Sequence, residues 1–475
     1  MFSKIKDSSF DDKLLNALLL GITAFLVLAS MLSAFRSMVN ADAGYYLGVT
    51  ELIHKGYLPY RDFSLGYSPL FFYVLQVPRI LMGPYPDYTG YMLFLFLIVV
   101  FDAFLLAVII KRITNSVKFS WISALVFLSL YLYLDGAYFI LEPFSLCCGL
   151  VSLILLVRRN VSPWRCVLSG SFCAFAFLSK QYGLLFAGVV GTFLLLSDDD
   201  WKNRILHCLY AFAGFSIIII LFAALFILSG SELSDMAMAL SGSTYGGQSL
   251  GLYAEGIAKT CRLFPYLFFL PCLLFSRKNQ NTLLVWASCI GLLLASVQFY
   301  FNVFPHYYIF MLPFVLALNA MMWNSLKVGH KTRISFLLYF GILFTACAIP
   351  LQSVYKDTKS LIRHDLRSSQ DKTTVELRKV AMEYQLDSAL CYWNTIQYYG
   401  LCPIEPSSMK EYGFAFGSDT EGSYMDRLNN ADCFIVKKSD LSGIFGMRDF
   451  SAILSADFHM LDQEFADGTK VFVRK

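Results

Sequence analysis

Apolar runs too long for any water-soluble core recur along this chain, and they limit what it can fold into more than any other feature. Crossing about 30 Å of hydrocarbon as a helix takes roughly 17 to 25 apolar residues. Candidate spans lie at 14–34, 91–111, 119–135, 138–157, 164–180, 181–197, 204–229, 261–276, 282–300, 304–323 and 333–353. The reading is therefore an α-helical polytopic membrane protein with about eleven transmembrane helices, the bilayer acting as its solvent. Their continuity excludes a lipid-facing β-barrel, whose strands alternate apolar and polar residues. With 57% hydrophobic and 15% charged residues, a chain of 475 residues has too little polar surface to cover a soluble body. The net charge of +4 is small and scattered over short loops, so it carries no nucleic-acid signal.

Lys and Arg gather in alternate loops. Lys111, Arg112 and Lys118, then Arg158, Arg159 and Arg165, then Lys202 and Arg204, then Arg277 and Lys278, then Lys327, Lys331 and Arg333 all fall on the side of the N-terminus. The positive-inside rule makes that side the cytoplasm and puts everything after residue 353 outside. The first span, preceded by Lys4, Lys6 and Lys13, is read as a retained signal anchor. A long first outer loop, 35–90, follows it. Within that loop the apolar stretch 69–82 is too short to cross and is broken by Pro78 and Arg79, so an interfacial or re-entrant helix is expected. A second outer segment, 241–255, is Gly-rich and polar and is expected as a loop.

From residue 354 to 475 charge returns and the apolar runs shrink to strand length, as in CFIV and KVFV, with helical spacing around 373–385. The division is thus a polytopic domain, 1–353, and a small extracytoplasmic α/β domain, 354–475. Most of the twelve cysteines lie in or beside apolar runs, where Cys behaves as a small hydrophobe, and none has metal-ligand spacing. Cys391, Cys402 and Cys433 leave room for one disulfide outside the cytoplasm, a Cys391–Cys402 bridge being one option.

The most informative stretch is NADAGYYLGVTELIHKGYLPYRDFSLGYSPL, residues 40–70. An acid just past the first helix, paired tyrosines, a G-x-x-P-Y-R-D-F element and a Pro-containing aromatic segment resemble the first outer loop of the GT-C glycosyltransferases. The pattern is similar to that of protein O-mannosyltransferases and lipid A aminoarabinose transferases. The resemblance implies a GT-C-like fold and transfer of a sugar from a polyprenyl-phosphate donor to a lipid, glycan or protein acceptor outside the cell membrane. Where the family usually shows two acids before its aromatic pair, this chain has Asp42-Ala43-Gly44, so one carboxylate stands alone.

On that resemblance, Asp42 is the general base that takes the acceptor's proton in a single inverting displacement. Lys180, Arg61 and His306 are expected at the donor phosphate, because charge left on a departing phosphate is stabilised by fixed cations and Arg offers a planar fork. Asp62, Glu142, Tyr45 and Gln181 are expected at the sugar or acceptor, with Asp135 as the positional alternative to Glu142. Each has a plainer reading: a solvated helix-end acid, a loop ion pair, a snorkelling Lys or an interfacial His. Tyr307 and Tyr308 are expected as interfacial anchors. No cofactor is required, a divalent metal is compatible, and no P-loop, dinucleotide fingerprint or Ser-His-Asp order is present. The competing reading is a multi-span transporter or flippase of lipid-linked sugars, against which the long polar first loop, the outer domain and the lack of an inverted repeat all count.

Overall fold

The structure, a computed structural model, describes residues 8–84, 86–157, 161–197, 200–231, 249–265, 282–328, 333–365, 367–408 and 421–475, with 234, 236, 237 and 267. Helix α1 (Ser8–Arg36) is followed after a bend of 70° by α2 (Ala41–His54), then by two short helices, α3 (Leu70–Val74) and α4 (Gln76–Leu81). The last two make the apolar stretch 69–82 helical. Val77, Ile80 and Leu81 stay exposed, while Arg79 turns inward to Glu51 with Nε–Oε2 2.6 Å.

The bundle continues with α5 (Tyr88–Thr114), α6 (Val117–Tyr131), α7 (Glu142–Leu156), α8 (Pro163–Ser179), α9 (Leu185–Leu195) and α10 (Trp201–Leu228). After these come α11 (Leu250–Leu263), α12 (Thr282–Ser296), α13 (Leu312–Val328) and α14 (Arg333–Arg363). Among the described residues five helices are long and apolar enough to cross a membrane, or six if the bent α1–α2 pair counts as one. The expected span 261–276 falls largely outside the described residues. Others are real helices cut short: α7 has 15 residues and α9 has 11, about 22 and 16 Å of helix against some 30 Å of hydrocarbon. The Gly-rich segment 241–255 departs from expectation where it is described. Ser249 caps α11, its side chain accepting from the Gly251 amide, so 250–255 is helix; residues 241–248 lie outside the described residues.

At the centre α8 packs between α7 and α10. The approach to α10 is so close that a Cβ added to Gly170 would lie 1.8 Å from the Ala211 carbonyl oxygen, and one added to Gly214 would lie 2.0 Å from that of Val167. Small residues are what allow helix backbones to meet at this distance in a membrane protein.

Beyond α14 the chain forms α15 (Ser368–Glu383), the single turn α16 (Tyr398–Leu401), α17 (Glu421–Asn429) and a five-stranded sheet. The strands are β1 (Ser388–Cys391), β2 (Glu405–Pro406), β3 (Cys433–Lys437), β4 (Phe458–Met460) and β5 (Thr469–Arg474), in the order β2-β1-β3-β5-β4. β1 runs parallel to β2 and β3, and β5 runs antiparallel to β3 and β4. Period-two alternation gives the sheet two buried faces. Leu390, Phe434, Val436 and Phe472 pack under Leu428, Phe450 and Leu454. Ala389, Cys391, Ile435, Val471 and Val473 join one core with Tyr45, Leu47, Phe71 and Tyr91 of the first loop and α5. The disulfide option is not taken: Cys391, Cys402 and Cys433 are free buried thiols, with Cys391 and Cys433 at different rungs of adjacent parallel strands and the Cys402 Sγ 3.8 Å from the Thr374 carbonyl.

Gly170→Ala drives a methyl group into the α10 backbone and is expected to destabilise the protein by about 1–3 kcal/mol. Thermal unfolding of the detergent-solubilised chain checks this, and an unshifted transition would mean that α8 and α10 do not meet there.

Candidate active site

Four chain breaks on the side of the first loop bring charged side chains together. The first is the start of α2. Asn40 caps it, its Oδ1 accepting from the Ala43 amide at 2.8 Å, so Asp42 stands in the first turn, where the helix dipole favours a carboxylate. The second is the start of α7, whose first residue is Glu142, with Pro143 behind it in the conformation a first turn prefers. The third separates α8 from the 3-10 turn Gln181–Leu184: Lys180 has extended backbone (φ −152°, ψ 131°), so the helix stops at the cation. The fourth is the 3-10 helix Pro305–Met311, which presents His306 in its opening turn.

Lys180 and Glu142 are 2% and 1% exposed, and their Nζ and Oε1 atoms are 3.1 Å apart. His306 Nε2 approaches the same carboxylate oxygen at 3.9 Å, while its Nδ1 lies 3.2 Å from Asp135 Oδ2. A carboxylate only accepts, so Nδ1 carries a proton toward Asp135. Asp135 reaches this place by a turn of π type between α6 and α7, in which its own backbone is left-handed at φ 66°. Such a conformation costs energy that the surrounding packing must offset, and it gathers at functional sites. Asp42 lies in the field of this group. Burial pushes its carboxyl above the usual value, His306 and Lys180 oppose that shift, and Glu142 and Asp135 add to it.

An aromatic wall closes the cluster. Lys180 Nζ sits 4.7 Å from the centre of the Tyr67 ring, which also packs on Tyr45 and Tyr46. Tyr307 meets the edges of both Tyr182 (5.2 Å) and His306 (4.9 Å). Sequence reasoning missed Tyr67 and Tyr182. The available signal was position: Tyr182 stands two residues after Lys180, and Tyr67 lies in the same loop motif as Tyr45 and Tyr46. Tyr307 and Tyr308 are each only 2% exposed, so they are core residues and not interfacial anchors. The Tyr307 carbonyl accepts from Gln298 at 2.7 Å, and the Tyr308 hydroxyl donates to the Gly256 carbonyl at 3.2 Å.

The structure thus gathers Asp42, Glu142, Lys180, His306 and Asp135. Gln181 is adjacent, its Nε2 donating to the Gly66 carbonyl at 3.3 Å, and Tyr45 is wholly buried behind Tyr67. Arg61 and Asp62 make their contacts elsewhere. They pair through a two-pronged fork at 2.7–2.8 Å, and Arg61 also donates to the Ser229 carbonyl at the end of α10 at 3.2 Å. The guanidinium holds the Asp62 carboxyl below its ordinary value. Among the described residues no three His, Cys, Asp or Glu side chains are grouped to hold a metal ion.

Against solved structures, the chain is similar to ArnT from Cupriavidus metallidurans bound to undecaprenyl phosphate, with a TM-score of 0.65, 13% identity and 98% of each chain covered. The chain shares the fold of that structure. It is also similar to the Archaeoglobus fulgidus oligosaccharyltransferase in the apo form, with a TM-score of 0.48 and 12% identity over 92% of this chain and 73% of that one. No family model matches the sequence, and no curated protein matches it.

The packing role of the buried Lys180–Glu142 pair can be tested apart from any chemistry. Glu142→Leu or Lys180→Met alone leaves a buried charge unpaired and is expected to cost about 3–5 kcal/mol, whereas the double substitution should restore most of it. Thermal unfolding of the three variants decides; singles as stable as the double would show that the pair does not form.

Proposed function

We propose that this chain is a membrane-embedded glycosyltransferase that moves a sugar from a polyprenyl-phosphate donor to a lipid, glycan or protein acceptor on the outer face of the cell membrane. The observation that carries the reading is convergence: Asp42, Glu142, Lys180 and His306 come from four separate chain breaks yet share one electrostatic site. The GT-C fold, alike over 98% of both chains in ArnT, supports the same reading. The charge pattern of the loops supports a cytoplasmic N-terminus and an outer C-terminal domain.

In this reading the donor's phosphate approaches Lys180 and His306, which meet the charge left on it as the bond to the sugar breaks. The acceptor hydroxyl attacks the anomeric carbon from the opposite face and gives its proton to Asp42. One bond forms, one breaks, polyprenyl phosphate leaves, and the configuration inverts. Glu142 holds Lys180 and His306 in place, and Asp135 turns the imidazole of His306. Tyr182, half-buried, gives the sugar an aromatic surface with Gln181 as a polar edge, and Tyr307, Tyr67 and Tyr45 pack behind them. The Arg61–Asp62 pair braces the loop against α10, its guanidinium engaged by Asp62 and the Ser229 carbonyl. No step is routed through a cofactor or a divalent ion.

Membranes carrying the wild type are expected to move label from a radiolabelled polyprenyl-phosphate sugar into a lipid, glycan or protein fraction, and Asp42→Asn should lower that transfer by about a hundredfold or more. Undiminished transfer by Asp42→Asn at equal protein level would remove Asp42 as the base, and no transfer from any carrier would remove the enzyme.

The pH profile gives an independent check. A base acts only when deprotonated, and burial raises Asp42. The acid limb of kcat/KM should therefore lie above the ordinary Asp value of about 3.9, with activity lost as pH falls through it. A limb at or below that value would contradict the buried environment of Asp42.

A further inference from the structure

The break between α1 and α2 leaves peptide groups that neither helix can satisfy, and such groups must find partners when buried. Val39, three residues before Asp42, is buried. Both of its peptide groups are met by one side chain from α15, some 330 residues away: the Val39 amide donates to Gln370 Oε1 at 2.9 Å, and Gln370 Nε2 donates to the Val39 carbonyl at 3.2 Å. A primary amide is the side chain that can offer one donor and one acceptor side by side, so Gln370 takes the place of a missing strand or helix partner. One helical turn earlier, the Arg367 Nη1 donates to the Ala34 carbonyl at 2.7 Å and holds the end of α1.

The other side of α2 is held as tightly. A Cβ on Gly44 would lie 2.7 Å from the Gln397 amide nitrogen, and one on Gly400 would lie 2.5 Å from the Leu47 Cβ, so α16 and α2 touch backbone to backbone. α16 is fixed in turn. The Tyr398 hydroxyl donates to Asp467 Oδ2 at 2.5 Å, Asp467 pairs with Lys437 on β3, and the Asp467 amide donates to the Thr373 hydroxyl at 3.2 Å, one turn beyond Gln370.

We infer that the C-terminal domain is a working part of the active site and that Gln370 is a positioning residue, fixing through Val39 the start of α2 and hence the place of Asp42. This rests on the reading of Asp42 as the base. The recurring physical logic is that a reacting group displaced by about an ångström loses rate even though nothing that touches the substrate has changed.

The test uses the full chain in detergent. Gln370→Leu keeps the volume and removes the amide. Hydrogen exchange of residues 38–46 is expected to rise about tenfold or more, because the clamp on the helix start is gone. Binding of undecaprenyl phosphate, the probe for the donor site, should stay within about twofold of wild type while transfer turnover falls roughly a hundredfold, a loss in kcat and not in ground-state binding. Gln370→Glu retains the acceptor for the Val39 amide and loses the donor, so it should recover part of the turnover. Should Gln370→Leu fail to fold, Gly44→Ala, which wedges α2 away from α16, carries the same expectation. Unchanged exchange, or wild-type turnover alongside faster exchange, would overturn the inference. If the wild type transfers label from no carrier, the reading of Asp42 falls and the catalytic half of the inference with it, while exchange still decides whether Gln370 holds the helix.

Discussion

The structure turns on one buried ion pair. An ammonium and a carboxylate, each withdrawn from water, are tolerable only together, so Lys180 and Glu142 fix the end of α8 against the start of α7. Everything at the site is arranged around that constraint. Tyr67 of the first loop covers the cation, His306 approaches the same carboxylate oxygen from another side, and Asp135 turns the imidazole. Loop, bundle and late 3-10 helix are thereby tied to one pair of atoms.

The same constraint explains why several helices are too short to cross a bilayer. α7 begins only at Glu142, and the chain before it, from Leu132 to Leu141, is turn and irregular backbone that is mostly buried. Irregular backbone is tolerated at membrane depth where protein or a cavity surrounds it, because its peptide groups need partners that lipid does not provide. The shortened elements therefore mark the site as clearly as its charges do.

How much of this was legible in the sequence depended on whether a residue's role was local. Lys180 stood out because a cation in a long apolar stretch has few reasons to be there, and the helix breaks at that residue. Glu142 stood out for the cost of burying it. Asp42 was visible through the loop motif that follows. Asp135 was only a positional alternative, because its left-handed backbone and its contact with His306 come from tertiary packing. Gln370 was invisible, since a glutamine on a polar helix reads as a solvated side chain until the partner across some 330 residues is known. The segment 250–255 was misread because its glycines signalled a loop while Ser249, a helix cap, went unweighted. The fold class was legible from run length alone; a count of crossings was not, because run length cannot show where a helix starts late.

The helix α14 runs from Arg333 to Arg363, about 46 Å, with Pro350 inside it, and α15 and the sheet follow it in the chain. Arg36 at the end of α1 grips its last turn through the Leu361 and Ile362 carbonyls, both at 3.0 Å. The sheet, buried on both faces, shares its inner face with the first loop. Among the described residues the bundle and the sheet are thus joined by a shared core as well as by the helix. A load placed on the inner face of the sheet would therefore be felt at α2, because the two are walls of one core.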